Sequence, residues 1–218
     1  MKKILVLNTS PKKEDSLSRQ LTQLFISEWL SKRPDDIVCY RDIVETGIPH
    51  LSELWISAAL KPIELRSPEE RDELILSDIL VQEIETADII VLGTPMYNWS
   101  IPSALKAYID HIVRVGRTIA LDENNIENPV TGLLRDKQIY LCLVRGGVGY
   151  QKGERFATMD FQRSYLKTIF NVMGIDKVAE MIINGTSHGQ HYIDIGLKEA
   201  IEKIKNIVLQ HVDTSERK

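Results

Sequence analysis

Three groups of residues in this chain have the composition of a ligand site. Thr9, Ser10, Ser16 and Ser18 place hydroxyls around Leu17, where a helical pattern begins. Hydroxyls and the unpaired N–H groups of a helix start together bind anions. Pro95-Met96-Tyr97-Asn98-Trp99 places large apolar and flat groups where a solvated turn would be polar. Such a loop can lie against a planar ring while its backbone reaches the ring edge. Val144-Arg145-Gly146-Gly147 ends in two glycines, which let the backbone approach a ligand closely. Their N–H groups can stabilise negative charge on a ring. Each group also has an ordinary structural use, since serines cap helices, aromatics fill cores and Gly-Gly makes turns. Their positions in the chain favour the ligand reading.

Each group follows a strand-like run. Residues 3–7, 37–40, 89–92, 138–144 and 177–183 read as strands, and 89–92 is an unbroken apolar run with β-branched residues. That run does not alternate, as expected of a parallel strand buried on both faces. Helical patterns over 17–31, 68–86, 102–113, 160–172 and 193–211 separate them, with a shorter one near 51–60. Ser67-Pro68-Glu69-Glu70 is a well-formed helix start, with a cap, a proline and acids in the first turn. Right-handed crossovers turn such a chain into an α/β fold, a doubly wound five-stranded parallel sheet between two helix layers. The common order for five strands is the flavodoxin-like 2-1-3-4-5. In that order the three loops, after the first, third and fourth strands, share the carboxyl edge of the sheet. A phosphate pocket, an aromatic loop and a Gly-Gly cradle on one edge suit FMN. Neither GxxxxGK[ST] nor GxGxxG is present, which disfavours a nucleoside triphosphate or a tightly held dinucleotide.

The 218 residues carry a net charge of −4, with 43% hydrophobic and 27% charged residues. These values fit one FMN-binding domain over 1–212 followed by a charged tail at 213–218. Mild acidity argues against nucleic acid as partner, and no apolar run has the length of a membrane span. Cys39 and Cys142 both fall in strands and read as buried thiols of a cytoplasmic protein. His188 and His191 have H-x-x-H spacing but no accompanying carboxylate or thiolate set. They read as a solvated loop, and no metal site is expected. Residues 41–68 hold three prolines and Trp55, taken as exposed, and suit a lid or an interface. His111 reads as a helix surface or dimer contact, and residues 120–129 as a polar loop, extended or hairpin-like.

The motifs resemble those of the bacterial azoreductase family, the FMN-dependent NADH:azo-compound and quinone oxidoreductases, over essentially the whole chain. Pro95-Met96-Tyr97-Asn98-Trp99 is similar to the family's P-M-[YW]-N-[FW] segment. Leu105-Lys106-Ala107-Tyr108-Ile109-Asp110, Arg114-Val115-Gly116 and Arg145-Gly146-Gly147 match its L-K-x-[YW]-[FIV]-D, R-[AV]-G and R-G-G motifs. The resemblance implies a homodimer with FMN near the interface and NADH or NADPH as co-substrate. Ser10, Ser16, Leu17 and Ser18 would hold the phosphate. Met96, Tyr97, Asn98 and Trp99 would line the isoalloxazine, and Val144, Arg145, Gly146 and Gly147 its pyrimidine side. A quinone, or an azo compound cleaved to amines, would use the nicotinamide's pocket in turn, giving ping-pong kinetics. Water can supply protons, so no side chain is assigned as catalytic. The chain departs from the family after Arg117-Thr118, where Ile119-Ala120-Leu121 stand in place of an aromatic wall. Val144 replaces a hydroxyl found in some relatives, and Gly149 a histidine of one branch. These departures bear on the acceptor more than on FMN.

The alternative is a flavodoxin-like electron carrier with no substrate of its own. The extra segment 41–68 and the modest charge speak against it, because a carrier docks through an acidic rim and needs no lid. A hydrolase on the same fold would need a nucleophile beside a base, and no such arrangement falls at the loop edge.

Overall fold

The computed structural model describes residues 1–215, with side chains through His211. In chain order the elements are β1 (Lys3–Asn8), α1 (Leu17–Lys32), β2 (Ile37–Asp42), α2 (Ile43–Thr46), α3 (Glu53–Leu60), α4 (Pro68–Thr86) and β3 (Ile89–Pro95). Then come α5 (Ser103–Ile112), β4 (Ile119–Leu121), β5 (Val130–Gly132), β6 (Gln138–Val144), α6 (Phe161–Val172), β7 (Lys177–Ile183) and α7 (Gln190–Ser215). The sheet runs β2-β1-β3-β6-β7, all parallel, which is the expected order with a β4–β5 hairpin inserted. The polar segment expected at 120–129 lies in that antiparallel hairpin, its first two residues in β4 and the remainder in the connection to β5. The tail expected from residue 213 begins inside α7, and residues 216–218 lie outside the described residues.

Successive strand side chains point to opposite faces, and each face is filled by one helix layer. Ile4, Val6, Ile89, Val91 and Cys142 meet Leu21, Phe25 and Trp29 of α1 and Ile204 and Val208 of α7. Leu5, Leu7, Ile90, Leu92 and Leu141 meet Leu80 and Ile84 of α4, Leu105 and Tyr108 of α5, and Phe170 of α6. The cap expected at Ser67 is present and forms part of a capping box. Glu70 N–H donates to Ser67 Oγ at 3.2 Å, and Ser67 N–H donates to Glu70 Oε2 at 2.8 Å.

Several expectations need correction. Cys142 is buried but Cys39 is exposed, because β2 is an edge strand paired on one side only. Trp55 is buried rather than exposed. It packs edge-on to the His111 ring at 5.3 Å between centroids, and Arg114 lies over it at 5.5 Å. His111 is likewise buried, with Nε2 3.0 Å from the Pro49 carbonyl. Residues 49–60 are therefore folded down onto α4 and α5 instead of standing free. The third strand extends beyond the expected run 89–92, through Gly93 to Pro95. Among the described residues no helix is long and apolar enough to cross a membrane, and no group of three or more His, Cys, Asp or Glu could hold a metal.

Asp36 locks the chain's first turn onto the α1–β2 connection. Its carboxylate accepts from Lys2 N–H at 2.7 Å, Trp29 Nε1–H at 2.9 Å and Arg33 Nε–H at 2.6 Å. Burial alone would raise its pKa, but the hydrogen bonds from Arg33, Lys2 and Trp29 outweigh that and hold it below the usual carboxylate range. A depressed carboxylate contributes stability that is present above its unfolded pKa, near 4, and is lost as pH falls through the folded value. Asp36→Asn is expected to lower stability at pH 7 by about 2 kcal/mol. It should also flatten the acid limb of a urea-unfolding series between about pH 5 and pH 2.

Candidate functional site

A cavity of about 360 Å³ opens at the carboxyl edge of the sheet, at the β1/β3 switch point. Its volume lies in the range of small-molecule and cofactor sites. Ser10, Ser16, Leu17 and Ser18 line one end, Pro95, Met96 and Tyr97 a wall, and Val144, Gly146, Thr186 and Ser187 the rest. Three loops distant in sequence thus converge as the topology requires.

The serine end is a helix N-terminus without a ligand of its own. Ser16 caps α1, its Oγ accepting from Arg19 N–H at 3.4 Å and its carbonyl from Gln20 N–H at 3.0 Å. The N–H groups of Leu17 and Ser18 are left as orphan donors. The Ser16 and Ser18 hydroxyls sit 3.1 Å apart, so one proton between them serves that contact and the other is free. The first turn holds no acid that would occupy the dipole. Arg19 fixes the preceding loop, donating to Ser10 O at 2.7 Å and Lys12 O at 3.0 Å, and pairs with Asp42 at 2.6 Å. The hydroxyls are thereby held in place, while the arginine charge is neutralised away from the cavity. Exposed Lys12 and Asp15 also line it and offset each other.

The aromatic loop is a tight reversal. Tyr97 and Ser100 exchange backbone hydrogen bonds of 2.9 Å in each direction, with Asn98 at φ 47° and Trp99 at φ 62° between them. Asparagine tolerates that region, but a tryptophan there stores strain, a feature that concentrates at ligand sites. Tyr97 and Trp99 remain well exposed. Met96 N–H donates to Val144 O at 2.7 Å and ties this loop to the next.

The glycine loop is stitched to the turn after β7. Gly185 N–H donates to Gly147 O at 2.9 Å, Thr186 N–H to Arg145 O at 3.1 Å and Ser187 N–H to Gly146 O at 3.1 Å. A Cβ on Gly146 would lie 2.6 Å from Ser187 Oγ, and one on Gly147 would lie 2.9 Å from Tyr150 Oη. Only glycine fits this cradle without movement.

Chains with these features are known. A family model described as a flavodoxin-like fold matches residues 2–208. An FMN-dependent NADH:quinone oxidoreductase of Nostoc punctiforme is 38% identical over 210 residues, spanning 96% of this chain and all of that protein. Another of that description, from Pseudomonas fluorescens, is 35% identical over 207 residues and 95% of this chain, again with its whole length covered. This chain belongs to that family. The crystal structure of an FMN-dependent NADH-azoreductase from Bacillus anthracis in complex with FMN has the same fold, with a TM-score of 0.85. It is 22% identical and covers 97% of this chain and 100% of that one.

Within this family member, Ser10, Ser16, Leu17, Ser18, Met96, Tyr97, Val144 and Gly146 come together around the cavity. Asn98, Trp99, Arg145 and Gly147 are not among its lining residues. Asn98 and Trp99 form the exposed tip of the turn, and Gly147 faces Tyr150. The Arg145 side chain turns into the protein, where burial pulls its pKa down and Asp160 opposes that shift. Lys12, Asp15, Thr186, Ser187 and Ile193 also line the cavity, although none of them is among the expected site residues, and Pro95 lines it at the start of the aromatic loop. A signal for Thr186 and Ser187 existed. Gly185-Thr186-Ser187 also follows a strand on the same edge and carries hydroxyls beside a glycine. His188 and His191 are both exposed beyond it, but His191 lies in the first turn of α7 rather than in a loop.

Proposed function

We propose that this chain is an FMN-dependent oxidoreductase that takes a hydride from NADH or NADPH and passes it to quinones and aromatic azo compounds. The observation that carries this reading is the carboxyl-edge cavity, built from three loops of the expected types in a chain with full-length relatives named as such reductases. FMN, when bound, supplies reversible hydride acceptance and donation. The chain's residues fit it. The Leu17 and Ser18 N–H groups, with the hydroxyls of Ser10, Ser16 and Ser18, receive a phosphomonoester. Met96 and Tyr97 give a ring an apolar wall, and the Gly146-Gly147 backbone approaches a ring edge and stabilises charge there. Asn98 and Trp99 stand at the rim, where acceptor and nicotinamide would enter in turn. Arg145 acts through its backbone at the cradle. The enzyme is read as a cytoplasmic homodimer.

Steady-state assays test this. NADH oxidation should require both FMN and a soluble quinone and give parallel double-reciprocal lines. NADH oxidation unaffected by added quinone would favour the carrier. Replacing Ser16 and Ser18 by alanine is expected to raise the Kd for FMN by about tenfold each, one charge-assisted hydrogen bond apiece. The fold should be retained, since each truncation leaves the core intact. Fluorescence titration of the apoprotein with FMN reads the change, and an unaltered Kd in the double variant would move the phosphate elsewhere.

A further inference from the structure

A second cavity, of about 340 Å³, lies between the α3–α4 connection and the chain after α5, and shares no lining residue with the first. Its polar wall is cationic. Lys61, Arg66, Arg114 and Arg117 line it, with Asp78 the carboxylate among its lining residues. Lys61 pairs with Glu70 at 2.5 Å, and Arg117 makes a two-point pair with Glu85 at 2.8 and 2.7 Å. Arg66 donates to the Lys61 carbonyl at 3.0 Å, and no carboxylate among the described residues lies within ion-pair range of it. Three of the four cations thus share three carboxylates, and Arg66 has none.

Arg114 is the most exacting of the four. It is 3% exposed, and its Nη1 donates to Ser77 Oγ at 2.6 Å and reaches Asp78 at 3.3 Å. Its Nε is buried with no acceptor among the described residues, as is the indole nitrogen of Trp55, the ring over which Arg114 lies. Asp78 is 45% exposed and shared with Arg117 at 3.5 Å, so its compensation is screened by water. A desolvated guanidinium short of acceptors, facing a cavity with two further arginines, calls for an anion. The remaining wall is apolar, formed by Leu60, Pro62, Ile63 and Val115. An inorganic oxyanion would leave that wall wet.

We infer that this cavity binds a small organic carboxylate, its head on Arg114 and Arg66 and its apolar body against Leu60, Ile63 and Val115. The inference does not rest on the redox function, and its test does not read activity. The chain has three tryptophans, so its indole N–H signals are few enough to assign with Trp55→Phe. Titrating the FMN-loaded protein with benzoate should shift the Trp55 indole and Arg114 Nε–H resonances saturably and leave Trp29 unmoved. Inorganic phosphate should bind at least about tenfold more weakly, for want of the apolar body. Arg66→Gln, a surface change, should weaken benzoate by about fivefold, and Arg114→Gln should abolish the shift. Absence of a saturable shift, a shift confined to Trp99, equal binding of phosphate and benzoate, or full affinity in Arg66→Gln would each overturn the inference. The Arg66 variant keeps the test decisive even where Arg114→Gln fails to fold.

Discussion

Replacing Asp160 by alanine is expected to lower the unfolding free energy by about 3–5 kcal/mol, the effect of leaving one member of a buried ion pair alone. Arg145 is 2% exposed, and its Nη2 lies 3.0 and 2.8 Å from the two Asp160 oxygens. Its Nε donates to Gln162 Oε1 at 3.0 Å, and Gln162 Nε2 donates to Thr94 O at 3.3 Å. This chain of contacts joins the start of α6 to the ends of β6 and β3, so it braces both the glycine loop and the aromatic loop from behind. Asp160 also caps α6, accepting from Arg163 N–H at 3.0 Å. The alanine variant loses the brace and the cap together. Asp160→Asn keeps the cap and one acceptor and should cost about half as much. Urea unfolding of the apoproteins gives the ranking. FMN titration should show weaker binding in the alanine variant, because the two walls lose their common support. A stability loss below about 1 kcal/mol would mean that Arg145 finds another partner on relaxation.

Gly93→Ala is expected to destabilise the fold by about 2–3 kcal/mol and to weaken FMN binding along with it. A Cβ at this position would lie 2.6 Å from Thr22 Cγ2 and 2.7 Å from the backbone oxygen of Ser18. A side-chain methyl can turn away, but a helix carbonyl cannot. Relief requires the first turn of α1 to move off β3, and that turn carries Ser16 and Ser18. Stability and cofactor affinity should therefore fall together, whereas an ordinary overpacked core site would change stability alone. An alanine variant with reduced stability and an unchanged Kd for FMN would separate the two effects and contradict this coupling.

The central strand was legible because the run Ile89-Ile90-Val91-Leu92 does not alternate as a half-exposed strand would, and the order is the common one for a five-stranded doubly wound sheet. The convergence of three loops on one edge followed from topology, since parallel strands put all their following loops at the same end. Burial off the sheet was less legible. Trp55 sits among prolines, and nothing local indicates that α3 folds onto His111 and Arg114. Cys39 lies in a strand-like run, yet edge position depends on long-range order rather than composition. Arg145 follows a strand and precedes two glycines, which suggests a ligand contact. Its inward turn depends on Asp160 and Gln162, both more than a dozen residues away. Gly93 reads as a strand breaker by type, but here it continues the strand so that a helix can pack against it.

The central claim is a flavin at the carboxyl edge that accepts electrons from a nicotinamide and yields them to a quinone. It is tested most directly by the visible spectrum of the FMN-loaded protein under anaerobic conditions. Flavin bands that bleach on adding NADH and return on adding benzoquinone are the expected result. Bands that NADH leaves unchanged, or a protein that takes up no FMN at all, would contradict it.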